Sequence, residues 1–214
     1  LLTLLASMQP ICNRRTTLDV TETVLFNVTP RELTIKATDL EISLQATMLI
    51  EGSLSEPLSF LISGKRIFEI IKELDGTIIF SLEENQLKIR SKEIDLSLNT
   101  RHAQDFPPFP ERIENLMGIE GGDLLKLLNK VAFIIPQNNA NNALNGMLFE
   151  IGNEKLSMVA TDGYSLARVE TATYTLPEQH SWLIPKRAVM EIRKLTESNP
   201  SATIFIGACG NQLV

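Results

Sequence analysis

The chain has 214 residues, 43% of them apolar and 21% charged, with 11 Gly, 10 Pro, 2 Cys and a formal net charge of -6. This is a globular composition, long enough for one large domain or two ordinary ones, and it excludes disorder and collagen-like order. The balance of 20 Lys and Arg against 26 Asp and Glu also excludes a bulk cationic grip on nucleic acid, while leaving room for a local basic face.

In chain order, the opening Leu1-Leu2-Thr3-Leu4-Leu5 has a faint signal-peptide character but no initiator Met and no basic flank. It reads instead as a core helix, because the same pattern returns mid-chain as Leu124-Leu125-Lys126-Leu127-Leu128. Apolar residues then alternate with polar ones at Leu33, Ile35 and Ala37 and again at Ile42, Leu44, Ala46 and Met48, the period of half-buried strands. From Lys65 to Leu74 the spacing becomes helical, with Ile67, Phe68, Ile70, Ile71 and Leu74 on one side. Strands resume at 77–82, 86–91 and 94–99, separated by turns at Asp75-Gly76 and Glu83-Glu84-Asn85. A proline-dense linker follows, Phe106-Pro107-Pro108-Phe109-Pro110-Glu111-Arg112. Gly121-Gly122-Asp123 then opens a helix over 123–133 with Asp123 as its N-cap, and another helix is expected over 185–196.

These elements form a tandem repeat. Leu1, Val24 and Ala37 recur as Leu124, Met147 and Ala160 inside matching segments, at one offset of 123 positions. Ser59-Phe60-Leu61-Ile62, Lys65-Arg66 and Glu69-Ile70 answer Ser181-Trp182-Leu183-Ile184, Lys186-Arg187 and Glu191-Ile192. Five ordered matches imply two homologous domains, 1–115 and 116–214, of class α+β, each with two helices packed on antiparallel sheet. The second copy stops where the first still has strands to run, so the 214 residues read as part of a longer chain. In that reading the first repeat lacks its first strand and the second is truncated at its C-terminus.

Few residues invite chemistry. Cys12 and Cys209 stand far apart with only His102 and His180 for company, so neither zinc spacing nor a CxxC pair can be built; a reducing cytosol fits. No apolar stretch approaches the length of a membrane helix. Nucleotide-binding glycine patterns and hydrolase motifs are missing as well, and no metal or cofactor is expected. Asp39 with Glu41, and Asp162, suggest carboxylate catalysis, but a repeated Thr-Asp between strands reads better as a turn whose Asp accepts backbone N–H bonds. The helix over 185–196 places Ala188, Val189, Ile192 and Leu195 on one face and Lys186, Arg187, Arg193 and Lys194 on the other. Lys126, Asn129 and Lys130 line a second polar face, and Lys65, Arg66 and Lys72 a third. Each could be an ordinary solvated face; three together point to a phosphate-facing surface. Arg14-Arg15 and the matching Gln137-Asn138 lie in loops at the same end of their domains. They suit either a mobile polar loop or phosphate contact without sequence readout.

The segments Leu144-Asn145-Gly146-Met147-Leu148-Phe149-Glu150, Ala160-Thr161-Asp162-Gly163 with Leu166-Ala167, Ala37-Thr38-Asp39-Leu40-Glu41, Asp105-Phe106-Pro107 and Ile184-Pro185 resemble the bacterial DNA polymerase III beta subunit, the replicative sliding clamp, along the whole chain. The resemblance implies DNA-clamp repeats, three per chain, two chains closing head to tail around duplex DNA, with the third repeat absent here. It implies a non-enzymatic, cytoplasmic processivity factor that binds double-stranded DNA without sequence preference. It assigns Arg15, Gln137, Asn138, Lys186 and Arg187 to DNA, and the basic helix face adds Lys194. Leu144, Thr161, Gly163, Tyr164, Ser165 and Leu166 match one side of a pocket for short linear peptides of the polymerase catalytic subunit and the clamp loader. Arg66, Ile70, Leu74 and Leu96 match the homodimer interface of the full-length ring. On the residues alone, two other readings stay open. One is a duplicated protein-interaction adaptor not bound to DNA; the other is a two-domain enzyme centred on Asp39, Glu41 or Asp162.

Overall fold

A computed structural model describes residues 1–13, 16–52, 54, 56–92, 94–110 and 113–214. Packing divides the chain into Leu1–Phe109 and Pro110–Val214. The division expected at 115 falls inside a strand, Glu114–Glu120, whose first residue pairs with Ala208 and which therefore belongs with the second unit.

In the first unit, helix α1 (Leu2–Cys12) is followed by strands β1 (Thr23–Val28), β2 (Glu32–Thr38), β3 (Ser43–Leu49) and β4 (Leu58–Ser63). Helix α2 (Gly64–Glu73) and strands β5 (Ile79–Glu83), β6 (Gln86–Ser91) and β7 (Ile94–His102) complete it. The strands form one antiparallel sheet in the order β3-β2-β1-β4-β7-β6-β5. Both helices pack on it over a core that includes Leu5, Met8, Phe26, Ile35, Ile67 and Ile89.

Period-two reading finds β2 and β3 but misses β1 and β4. These two lie mid-sheet, and Leu25 and Leu61, which face away from the core residues Phe26 and Ile62, are buried too. With both faces covered, the apolar run loses its alternation. Phe26 and Phe60 sit opposite each other on this pair, rings stacked 5.4 Å apart.

The second unit begins with β8 (Glu114–Glu120) and α3 (Gly121–Val131), continues through β9 (Gly146–Ile151), β10 (Leu156–Thr161), β11 (Leu166–Thr171) and β12 (His180–Pro185), and ends with α4 (Lys186–Ser198), β13 (Thr203–Cys209) and β14 (Gln212–Leu213). Its strands run β11-β10-β9-β12 in one sheet and β14-β13-β8 in another. The 123-residue offset survives in the hydrogen-bonded register: Phe26 faces Ile35, and Phe149 faces Met158. Across the next strand Phe26 faces Phe60 and Phe149 faces Trp182, so one residue has been lost between β3 and β4 or their counterparts.

Three sequence expectations change in detail. Asp123 is not the N-cap of α3 but lies in its first turn, where it accepts bonds from Lys126 Nζ at 3.0 Å and from the Tyr174 hydroxyl at 3.1 Å. Leu195 is 48% exposed, and Thr196 takes the buried place one residue on, its hydroxyl donating to the Ile192 carbonyl at 2.7 Å. Lys186-Arg187 does not stand where Lys65-Arg66 stands. Ser63 and Pro185 end equivalent strands, so Lys186 occupies the position of Gly64.

The two cores are built from separate side chains. Leu5→Ala and the equivalent Leu128→Ala should each cost about 2–5 kcal/mol. Urea unfolding followed by hydrogen exchange should show amides loosening in the substituted unit first.

Candidate functional site

The Thr-Asp segments form the same turn in both units. At the end of β10, Asp162 Oδ1 accepts from the amides of Tyr164 at 2.9 Å and Ser165 at 2.7 Å, while Thr161 Oγ1 accepts from Gly163 N at 3.1 Å. In the first unit, Asp39 Oδ1 accepts from Glu41 and Ile42, and Thr38 Oγ1 from Leu40 N. Both aspartates are thus committed to backbone amides, which removes the geometric basis for a catalytic pair. The Ser165 amide, followed by that of Tyr164, holds the Asp162 carboxyl below the usual aspartate range.

The turn requires a left-handed residue at its third position. Gly163 supplies it at φ 94°, and Leu40 adopts it at φ 76° despite its side chain. A Cβ on Gly163 would lie 3.7 Å from Leu144 Cδ1, which places Leu144 against this turn. Thr161 pairs with Leu166, which is 64% exposed, and Tyr164 is 99% exposed. Leu144, Thr161, Gly163, Tyr164, Ser165 and Leu166 therefore share one end of the β10–β11 hairpin, with apolar side chains open to solvent.

The loop carrying Gln137 and Asn138 is ordered by its own asparagines. Asn139 N donates to Asn145 Oδ1 at 2.7 Å and Asn145 Nδ2 returns a bond to the Asn139 carbonyl at 3.0 Å. Asn141 caps the short helical turn Asn142–Leu144 by accepting from Ala143 N at 3.1 Å. These bonds tie the loop's backbone to itself and leave Gln137 and Asn138 exposed on it.

The basic helix faces are less basic than helical projection implies. Lys126 pairs with Asp123 at 3.0 Å, Lys194 with Glu191 at 2.8 Å and Arg193 with Glu197 at 3.0 Å. Helical spacing puts these acids beside the cations, and projecting the cations alone misses them. Such exposed pairs are weak in water and can exchange for phosphate. Lys186 is half-buried, and its Nζ donates to the Ile135 carbonyl at 2.6 Å. Arg187 is also half-buried. Arg15 lies outside the described residues.

Arg66, Ile70, Leu74 and Leu96 meet around one groove of about 370 Å³ between α2 and β7, with Ile94 and Leu98 extending its apolar floor. Leu96 and Leu98 pair with the core residues Ile89 and Leu87 and so face the helix side of the sheet. In that register they continue the core side of the sheet, but they lie beside the flank of α2 that runs from Arg66 to Glu73, and Leu96 stays 39% exposed. Among the described residues no three His, Cys, Asp or Glu side chains group as a metal site, and no helix is long and apolar enough to cross a membrane.

Two changes test the turns. Leu40→Gly should stabilise the first unit by about 1 kcal/mol and Gly163→Ala should destabilise the second by a similar amount, read from urea midpoints. Because the Asp162 value is lowered on folding, its contribution is complete above the ordinary carboxylate range and is lost as pH falls through the lowered value. The Tyr164 and Ser165 amide shifts should titrate together below the ordinary aspartate value, and Asp162→Asn should abolish that step.

Residues 1–110 match the family model of the DNA polymerase III beta subunit N-terminal domain, and residues 118–213 match that of its central domain. The beta sliding clamp of Pseudomonas aeruginosa is 30% identical over 202 residues, covering 92% of this chain and 55% of the relative. That of Haemophilus influenzae is 29% identical over 202 residues, with the same coverage. The chain thus spans about half the length of the curated relatives it matches. Among solved structures, a Pseudomonas aeruginosa sliding clamp bound to griselimycin aligns with TM-score 0.84 at 26% identity, over 100% of this chain and 60% of the other. The Helicobacter pylori beta clamp bound to a DNA ligase peptide shares the fold at 24% identity and TM-score 0.84, over 98% of this chain and 59% of the other. With two consecutive domain models matched in tandem over nearly its whole length, the chain belongs to the DNA polymerase III beta subunit family.

Proposed function

We infer that this chain is the N-terminal and central part of a replicative sliding clamp, a non-catalytic ring that encircles duplex DNA and tethers the polymerase and other replication and repair proteins. The tandem match to the two clamp domain models carries the reading. A closed ring retains DNA by topology, so it needs only weak, non-specific, salt-sensitive phosphate contact. Exposed cations loosely held by neighbouring carboxylates suit that requirement, and a net charge of -6 is no obstacle to it. Gln137, Asn138, Arg187 and Lys194 are the proposed DNA-facing side chains, with Arg15 from the first repeat.

The exposed β10–β11 hairpin end is the proposed peptide pocket wall. Each apolar anchor buried against Leu144 or Leu166 contributes about 1.5–3 kcal/mol, and two anchors give the exchangeable affinity a shared tether needs. The groove at Arg66, Ile70, Leu74 and Leu96 is proposed to close the ring against a partner protomer, and the protein to act in the cytoplasm.

The paired helix cations favour one alternative, a duplicated adaptor indifferent to DNA. Charge reversal separates the two: in the full-length protein, Arg187→Glu with Lys194→Glu should lower polymerase processivity after loading onto primed circular DNA by about tenfold, a loss of about 1.4 kcal/mol of contact. Unchanged processivity supports the adaptor. In the same protein, Leu74→Glu should abolish the closed dimer in sedimentation.

A further inference from the structure

We propose that Lys186 is a positioning residue: its ammonium fixes the loop that presents Gln137 and Asn138 and does not itself take a phosphate.

Lys186 is the first residue of α4, and it grips the loop through both main chain and side chain. Its backbone amide donates to the Asn145 carbonyl at 3.0 Å, where the loop ends, and its Nζ donates to the Ile135 carbonyl at 2.6 Å, where the loop begins. Asn145 then ties the middle of the loop through its reciprocal pair of bonds with Asn139. A charged donor on a carbonyl is among the stronger single hydrogen bonds. Half-buried, this ammonium spends one of its three donors on the Ile135 carbonyl, and that bond fixes where the head group sits.

The internal repeat supplies an independent comparison. Lys186 stands at the position of Gly64, and Ile135 lies one 123-residue offset from Cys12. In the first unit this contact is side chain against backbone: a Cβ on Gly64 would fall 2.5 Å from Cys12 Sγ, and Gln9 Nε2 reaches the Gly64 carbonyl at 3.0 Å. The first unit therefore closes the contact by close approach. The second replaces it with a long cationic arm, and its loop, of the same length from this contact to the next strand, runs from that arm to Leu144, beside the Gly163 turn.

The inference rests on the DNA-clamp reading only for what the loop faces; the tie itself is testable without DNA. In the 214-residue chain, Lys186→Met should speed amide exchange at Asn139 and Ala143 by about tenfold or more while leaving β9 and β10 protected. Asn145→Ala should do the same, the double variant should add little, and Lys186→Arg, which keeps a charged donor, should restore most of the protection. Unchanged loop exchange in Lys186→Met overturns the proposal, and so does an increase shared by β9 and β10, which would report general loosening.

Binding to a short duplex across a salt series gives the second readout. Positioning predicts weaker binding by Lys186→Met with an unchanged salt slope. A slope reduced by about one marks a direct phosphate contact and overturns the proposal. If the full-length protein fails to raise processivity after loading, the DNA reading fails on its own, and the exchange experiment still decides what Lys186 holds.

Discussion

The structure depends on the seam between two helices laid side by side on one sheet face in each unit. In the first unit α1 and α2 meet where Gly64 admits the Cys12 side chain; no larger residue fits there without displacing Cys12 or Val24. Burial pushes the Cys12 thiol up to about 11, so at neutral pH it stays protonated and acts as a small apolar filler. In the second unit the same seam is spanned by Lys186 and the Ile135 carbonyl. The residue that opens the second helix thus decides how the chain leaves the first. That exit carries the loop expected to face DNA.

A helix pair is narrower than a seven-stranded sheet, and the excess shapes the first unit's surface. The inner row of β7 continues the core register beside the flank of α2, leaving Ile94, Leu96 and Leu98 as the apolar floor of a groove. An uncovered core-register row of this kind marks an interaction surface more often than a packing fault. Ile70, at the rim of the buried stripe of α2, and Leu74, just past its last residue, complete it.

The repeated turn shows how one backbone design can diverge in use. In both copies an aspartate and a threonine satisfy the amides of a tight reversal, and the left-handed position is kept. Only the second copy fills that position with glycine, which takes the positive φ without strain, and Leu144 packs beside it. In the first copy Leu40 holds the left-handed position, with its side chain 51% exposed.

The sequence by itself determined the duplication, the α+β class, the helices, the outer strands and the Thr-Asp turns, because periodicity and turn chemistry are local and a repeat tests each segment against its copy. Family resemblance extended this to the residues that gather at the hairpin end and the groove. Tertiary structure alone decided the rest. Strands β1 and β4 were hidden from period-two reading because both their faces are buried. The charge of α4 was tempered by acids that projecting its cations had set aside. Leu195 and Leu96, apolar in register, stay half-exposed because coverage is set by how neighbouring elements pack, which no local period encodes. Lys186 reads from sequence as one more cation on a basic face. Its direction depends on a carbonyl 51 residues away in the chain, a partner that only the folded seam brings within 2.6 Å.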